Sequence, residues 1–196
     1  MVLVELGRNM ELEAGKIEQR LDRTASALNN GNVDYAVIGG NAVGAWLKTK
    51  GAGIQTRDVD ILLRRNDTAL AAKALSVEGF VRRDMGSHTM FMDGPKARDA
   101  VRVVFAGEKY DKDSLEPAPP VEEYEIIDGA RVIALSALVR MKLTAGRSKD
   151  LGHLIELLKA GVIDPSKVEN LPESLKGRWE KVLLEREATR RAWRED

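Results

Sequence analysis

The chain has 196 residues, 43% of them hydrophobic, enough to bury a core, and its 31 basic residues balance its 31 acidic ones. That balance gives no global electrostatic pull toward nucleic acid or an anionic membrane, no cysteine is present for disulfides or thiolate chemistry, and two separated histidines, His88 and His153, make no zinc-ligand set. No apolar run is long enough to span a bilayer and the N-terminal stretch lacks a signal-peptide pattern, so a cytoplasmic protein with no membrane partner is expected.

From Glu11 to Asn30 the apolar positions Ile17, Leu21, Ala25 and Leu28 follow a helical period that stops at Gly31, which predicts an amphipathic helix. "VDYAVIG" is a short β-branched run ended by glycine and predicts a buried strand, with a helix from Asn41 to Lys48 after it. "KTKGAGIQTR" is a loop, "DVDILLR" a second strand, and Asp67 the expected N-cap of a helix through "TALAAKALSVEG". "GFVRR", "HTMFMD" and "AVRVVFAG" predict three more strands, the last two joined by the turn-rich "DGPKARD". After the proline-rich connector "EPAPPVEE", two short strands are expected around Asp128-Gly129. Helices follow: "ALVRMKLTA" capped by Ser136, "KDLGHLIELLKAG", and a last one after Pro172. The expected architecture is α/β (α+β), a mixed sheet flanked by helices over residues 1–134 with a helical part, 135–196, packed on it.

Two segments carry the chemistry. A Gly39-Gly40 turn between strand and helix lets a ligand approach the backbone and aims free N–H groups at an anion, phosphate being the natural guest; it is also what a plain turn looks like. Asp58 and Asp60 alternate around Val59, so on a strand both carboxylates leave one face about 6.6 Å apart. Two such groups can bracket a divalent ion or a basic partner, or stand solvated at a strand end.

Taken together, Gly39, Gly40, Asp58 and Asp60 resemble the mark of the minimal nucleotidyltransferase superfamily. The order "IGGNAV", "TRDVDILL", "MKLTAGRSKDLGHL" is similar to AbiEii toxin-like and related bacterial nucleotidyltransferases over roughly Asp34 to Leu158. The resemblance implies transfer of a nucleoside monophosphate from a magnesium-bound nucleoside triphosphate to an acceptor hydroxyl, on RNA such as a tRNA end or on protein. It also implies a toxin's role with an antitoxin partner. In it, Asp58 and Asp60 hold Mg2+ and the Gly39-Gly40 turn holds the triphosphate. Thr56 would add a hydroxyl, or is a plain loop residue; Arg57 would pair with phosphate or neutralise the two acids.

Lys142 matches a lysine that contacts the triphosphate, Asp150 an acid that supports the site, and Arg147 could grip phosphate bidentately, within the basic stretch Arg140, Lys142, Arg147, Lys149. The chain departs from the pattern at the third carboxylate: the strand that should supply it is "AVRVVFAG", and the matching Val104 is apolar, with Asp93, Asp99 and Glu108 as nearby substitutes. That gap keeps a second reading open, a nucleotide-binding or regulatory pseudoenzyme without transfer. His153, His88, Trp46 and Trp179 read as packing residues. The C-terminal run Lys176, Arg178, Lys181, Arg186, Arg190, Arg191, Arg194 reads as a solvated helix or a polynucleotide-docking face.

Overall fold

The structure, a computed structural model, describes residues 2–86, 88–168 and 170–192, with side chains described from residue 14 onward, save 167 and 192. The elements in chain order are α1 (Val2–Asn30), β1 (Tyr35–Ile38), α2 (Gly39–Lys48), β2 (Val59–Leu63), α3 (Thr68–Ser76), β3 (Val81–Met85), β4 (His88–Met92), β5 (Ala100–Phe105), β6 (Tyr124–Ile127), β7 (Ala130–Ile133), α4 (Leu135–Ala145), α5 (Ser148–Lys159) and α6 (Glu173–Ala192). The strands form one mixed sheet in the order β3-β4-β5-β2-β1-β7-β6. β1 runs antiparallel to β2 and parallel to β7, and β2 runs parallel to β5.

The centre of the sheet is covered on both faces, because all four residues of β1 are buried and apolar, as a strand sandwiched between helical layers must be. α1 packs against α3, β2 and β7, whereas α2 packs on β1, β2 and β7 and meets α4 and α5, with α6 closing on the last two. β2 has the burial of a core strand at every position except Asp60, the one place where polar chemistry reaches its surface. At the sheet edge, β3 is exposed along its length, and Arg82, Arg83 and Asp84 there discourage pairing with another chain.

The Asp128-Gly129 hairpin forms as expected. Ile127 pairs with Ala130, and both turn residues have positive φ (50° and 81°), the backbone of a two-residue turn that suits Asp-Gly.

Several local expectations differ, among them the start of α2, which lies at Gly39 rather than Asn41. α1 begins at Val2 rather than Glu11. Asp67 makes no cap hydrogen bond, because its carboxylate is drawn to Arg64 while Thr68 Oγ1 bonds to the Arg65 carbonyl instead. Ser136 does not cap α4; it lies one residue inside a helix whose ladder already starts from the Ala134 carbonyl.

The C-terminal helix occurs where expected, and several of its cations are committed. Arg178 donates from Nη1 to the carbonyls of Leu143 and Thr144, two orphan acceptors at the end of α4. Lys176 pairs with Glu173, and Arg191 with Glu187 at 3.8 Å. Arg194 lies outside the described residues. No helix among the described residues is long and apolar enough to cross a membrane.

Candidate functional site

The double glycine and the twin acids meet. β1 and β2 pair so that Ile38 stands opposite Asp60, which brings the first turn of α2 against the start of β2. Gly39 has φ +68°, and a Cβ there would lie 2.3 Å from Asp60 Oδ2; one on Gly40 would lie 2.5 Å from Thr56 Oγ1. These glycines are therefore required by the close approach of Asp60 and Thr56 as well as by the turn. The loop is tied down from α2, where Asn41 Nδ2 donates to the Asp58 carbonyl at 2.7 Å. Thr56 Oγ1 reaches the same carbonyl at 3.4 Å, so its hydroxyl orders the loop in this structure. No side chain caps the start of α2, which leaves its first N–H groups available to an anion.

Asp58 precedes β2 rather than lying in it, yet both carboxylates reach one partner, which sequence reading did not find. Arg102 of β5 donates from Nε to Asp60 Oδ1 at 2.7 Å, and its Nη2 lies 2.9 Å from Asp58 Oδ2. The register explains it: Asp60 faces Arg102 across the parallel pair, whereas Val104 faces Leu62, one pleat further on. The cross-strand position beside the acids is thus filled by a guanidinium, not by the apolar Val104 expected there. Burial works against the charge of Arg102, but its hydrogen bond to Asp60 and the charges of Asp60 and Asp58 outweigh it and raise its pKa. The visible signal was one cation inside an otherwise apolar strand, "AVRVVF".

None of the substitute acids is free to complete a metal site. Asp93 is held by Arg20 at 3.0 Å and Arg23 at 2.8 Å, and Asp99 lies 3.6 Å from Arg20, all anchored from α1. Glu108 forms a bidentate pair with Arg65 at 2.7 and 2.6 Å. Among the described residues no group of three or more His, Cys, Asp or Glu side chains could hold a metal ion. The divalent ion implied at Asp58 and Asp60 fits these donors poorly, because only two carboxylates face it and one guanidinium already engages an oxygen of each.

The basic stretch resolves into a buried cluster with an exposed rim. Asp150, 2% exposed in the first turn of α5, accepts from Lys142 Nζ at 2.8 Å and from Arg147 Nε at 2.6 Å. Burial alone would raise its pKa, but those two hydrogen bonds and charges win and hold the carboxyl below the usual value of 3.8. Lys142 is itself buried, so its ammonium is committed to Asp150. Arg147 is the exposed member, and it feels the charge of Asp60, which links the start of α5 to the twin acids. The exposed ring of Tyr110 lies 5.6 Å from that of His88. Arg57 is exposed and bonds neither aspartate; Lys149 is exposed, and Arg140 pairs with Glu123.

His153 is buried next to this cluster, and its Nδ1 has no hydrogen-bond partner. Burial first, then the charges of Lys142 and Lys149, push its pKa from 6.5 down to about 4. A base with a depressed folded pKa binds more protons unfolded, so its contribution is complete above 6.5 and is lost as pH falls toward 4. Unfolding free energy should drop by up to about 3 kcal/mol across that window, a slope that His153→Leu should remove in urea titrations. Asp150 adds a further loss in the same direction at lower pH, as its depressed carboxyl is finally protonated.

No protein-family model matches the chain, and no curated protein matches it. Among solved structures, it is similar to an antigenic nucleotidyltransferase-like protein from Paracoccidioides brasiliensis, with TM-score 0.56 and 15% identity over 92% of this chain and 93% of that one. JHP933 from Helicobacter pylori aligns with TM-score 0.48 and 17% identity over 78% and 70% of the two chains. ANT(2'')-Ia in complex with adenylyl-2''-tobramycin aligns with TM-score 0.45 and 16% identity over 88% and 95%. The Paracoccidioides likeness carries the assignment: seven strands in a mixed sheet, helices on its faces and more at its C-terminal end make this a nucleotidyltransferase-like fold.

Proposed function

We propose that the protein binds a nucleoside triphosphate over the Gly39-Gly40 turn. The observation that carries this reading is convergence: the uncapped start of α2, Asp60 of β2 with Asp58 just before it, Arg102 of β5 and Arg147 at the start of α5 come near one another on this fold. Free N–H groups and guanidinium forks are the donors that polyphosphate oxygens select, and Arg147, largely exposed, can turn from Asp150 to a phosphate. Lys142 and Asp150 support the site from beneath by fixing α4 to α5.

A second reading is transfer of the nucleoside monophosphate to an acceptor hydroxyl on RNA or protein, the activity to which a toxin's role and an antitoxin partner would attach. It is favoured by Asp58 and Asp60, which both stand at the turn and remain partly exposed. The two readings part in one assay with α-labelled triphosphates. Calorimetry should detect nucleotide binding that weakens about tenfold or more in Arg147→Ala, the loss of one charge-assisted phosphate contact. Label transferred to RNA or protein by the wild type and not by Asp58→Ala would establish the second reading; no binding of any nucleoside triphosphate would end the first.

A further inference from the structure

We infer that Arg102 is a built-in cation, seated where the two acids would otherwise hold a divalent ion, and that it lets this site take up a polyphosphate without metal and without transferring from it. The inference rests on the nucleotide-binding reading for its ligand, and on the Arg102 geometry alone for the metal.

Paired carboxylates at the start of a strand repel each other and need a positive partner. Here that partner is covalently part of β5: the strand register sets Arg102 opposite Asp60, and the fork of the guanidinium spans to Asp58, with contacts of 2.7 and 2.9 Å. A divalent ion entering between the acids would compete with the guanidinium for both carboxylates and meet its positive charge at 2.7 and 2.9 Å from them. The three other acids that could complete an oxygen cage are each held by an arginine elsewhere.

The charge that a polyphosphate meets is correspondingly different. Two aspartates facing a single arginine leave little net negative charge to repel it, and Arg147, near enough to feel Asp60, adds a cation from the start of α5. A guanidinium can bind phosphate oxygens, as a metal does, but it cannot lower the pKa of an acceptor hydroxyl by coordinating it. Among the described residues, the carboxylates beside Asp60 are already paired and none is left over to take that proton. The expected result is uptake without chemistry.

The test has two arms. In the first, Mn2+ is titrated into the full chain without nucleotide and followed by its paramagnetic signal. Wild type should bind none at this site, whereas Arg102→Asp and Arg102→Gln should gain a site that Asp60→Asn removes. Mn2+ binding by the wild type that is lost in Asp58→Asn or Asp60→Asn overturns the inference, and needs no Arg102 variant to fold. In the second arm, ATP and GTP are titrated in EDTA and in excess Mg2+. Wild-type affinity should change by less than about threefold between the two, and Arg102→Asp should bind only with Mg2+. A wild-type affinity that collapses tenfold or more in EDTA would also overturn it. Failure to bind nucleotide under either condition would instead refute the proposed function, while the manganese arm still decides the role of Arg102.

Discussion

Asp150→Ala should lower the free energy of unfolding by about 3–5 kcal/mol, because it strands a buried ammonium without its acceptor. Lys142 Nζ has Asp150 Oδ1 at 2.8 Å, and its side chain is only 7% exposed, so neither water nor another carboxylate stands ready to replace the lost partner. The opposite substitution should be milder. In Lys142→Ala the carboxylate keeps Arg147 Nε at 2.6 Å and stays in the first turn of α5, where the helix dipole favours a negative charge. A double replacement by apolar residues, Lys142→Met with Asp150→Leu, should recover most of the loss, since a buried ion pair is seldom better than good apolar packing. Guanidinium unfolding of the three variants measures this order. A Lys142→Ala penalty as large as that of Asp150→Ala would mean that the acid depends on the lysine and not on Arg147. Because Lys142 is sealed from solvent, Lys142→Met is also expected to leave nucleotide affinity within about threefold, in contrast to a lysine in direct contact with phosphate.

What could be read in the sequence was local. The Asp128-Gly129 hairpin, the Gly-Gly turn and the alternation of Asp58 and Asp60 are written in adjacent residues, and period and turn chemistry recover them. That the turn and the acids face one another follows from the antiparallel pairing of β1 with β2, which residue spacing alone could not supply; the resemblance implied only that the two segments share a site. Arg102 was out of reach for the same reason. Its partners lie some forty positions earlier, and only the parallel register of β2 with β5 decides whether residue 102 or 104 stands beside Asp60. A shift of one pleat changes the reading of the site from an apolar gap to a cation. Asp93 and Asp99 show the same limit, since α1 supplies their arginines from some seventy residues away. The misplaced caps at Asp67 and Ser136 are a smaller matter: both residues have the right side chain, but Arg64 competes for the first and the second sits one position inside its helix.

Gly39→Ala should destabilise the protein by roughly 2–5 kcal/mol, combining the penalty for a side chain in left-handed backbone with that of overpacking. The backbone φ of +68° disfavours any Cβ, and the new atom would fall 2.3 Å from Asp60 Oδ2 and 3.2 Å from Asp60 Cβ. Gly44, five residues on in the same helix, provides the control: a Cβ there meets only Ile54 Cγ1 at 3.9 Å, an ordinary contact. Gly44→Ala should therefore stabilise α2 by about 0.5–1 kcal/mol, as expected when alanine replaces a helix-interior glycine. The clash at Gly39 also has a functional consequence, because the Asp60 carboxylate can escape only by leaving Arg102, and nucleotide affinity should fall along with stability. Adding Asp60→Ala to Gly39→Ala removes the 2.3 Å contact but neither the positive φ nor the approach of residue 60 Cβ, so the double variant should regain only part of the loss. Equal effects of Gly39→Ala and Gly44→Ala would mean that the turn is not packed on Asp60. The surface proposed for a polyphosphate would then lose the convergence on which it depends.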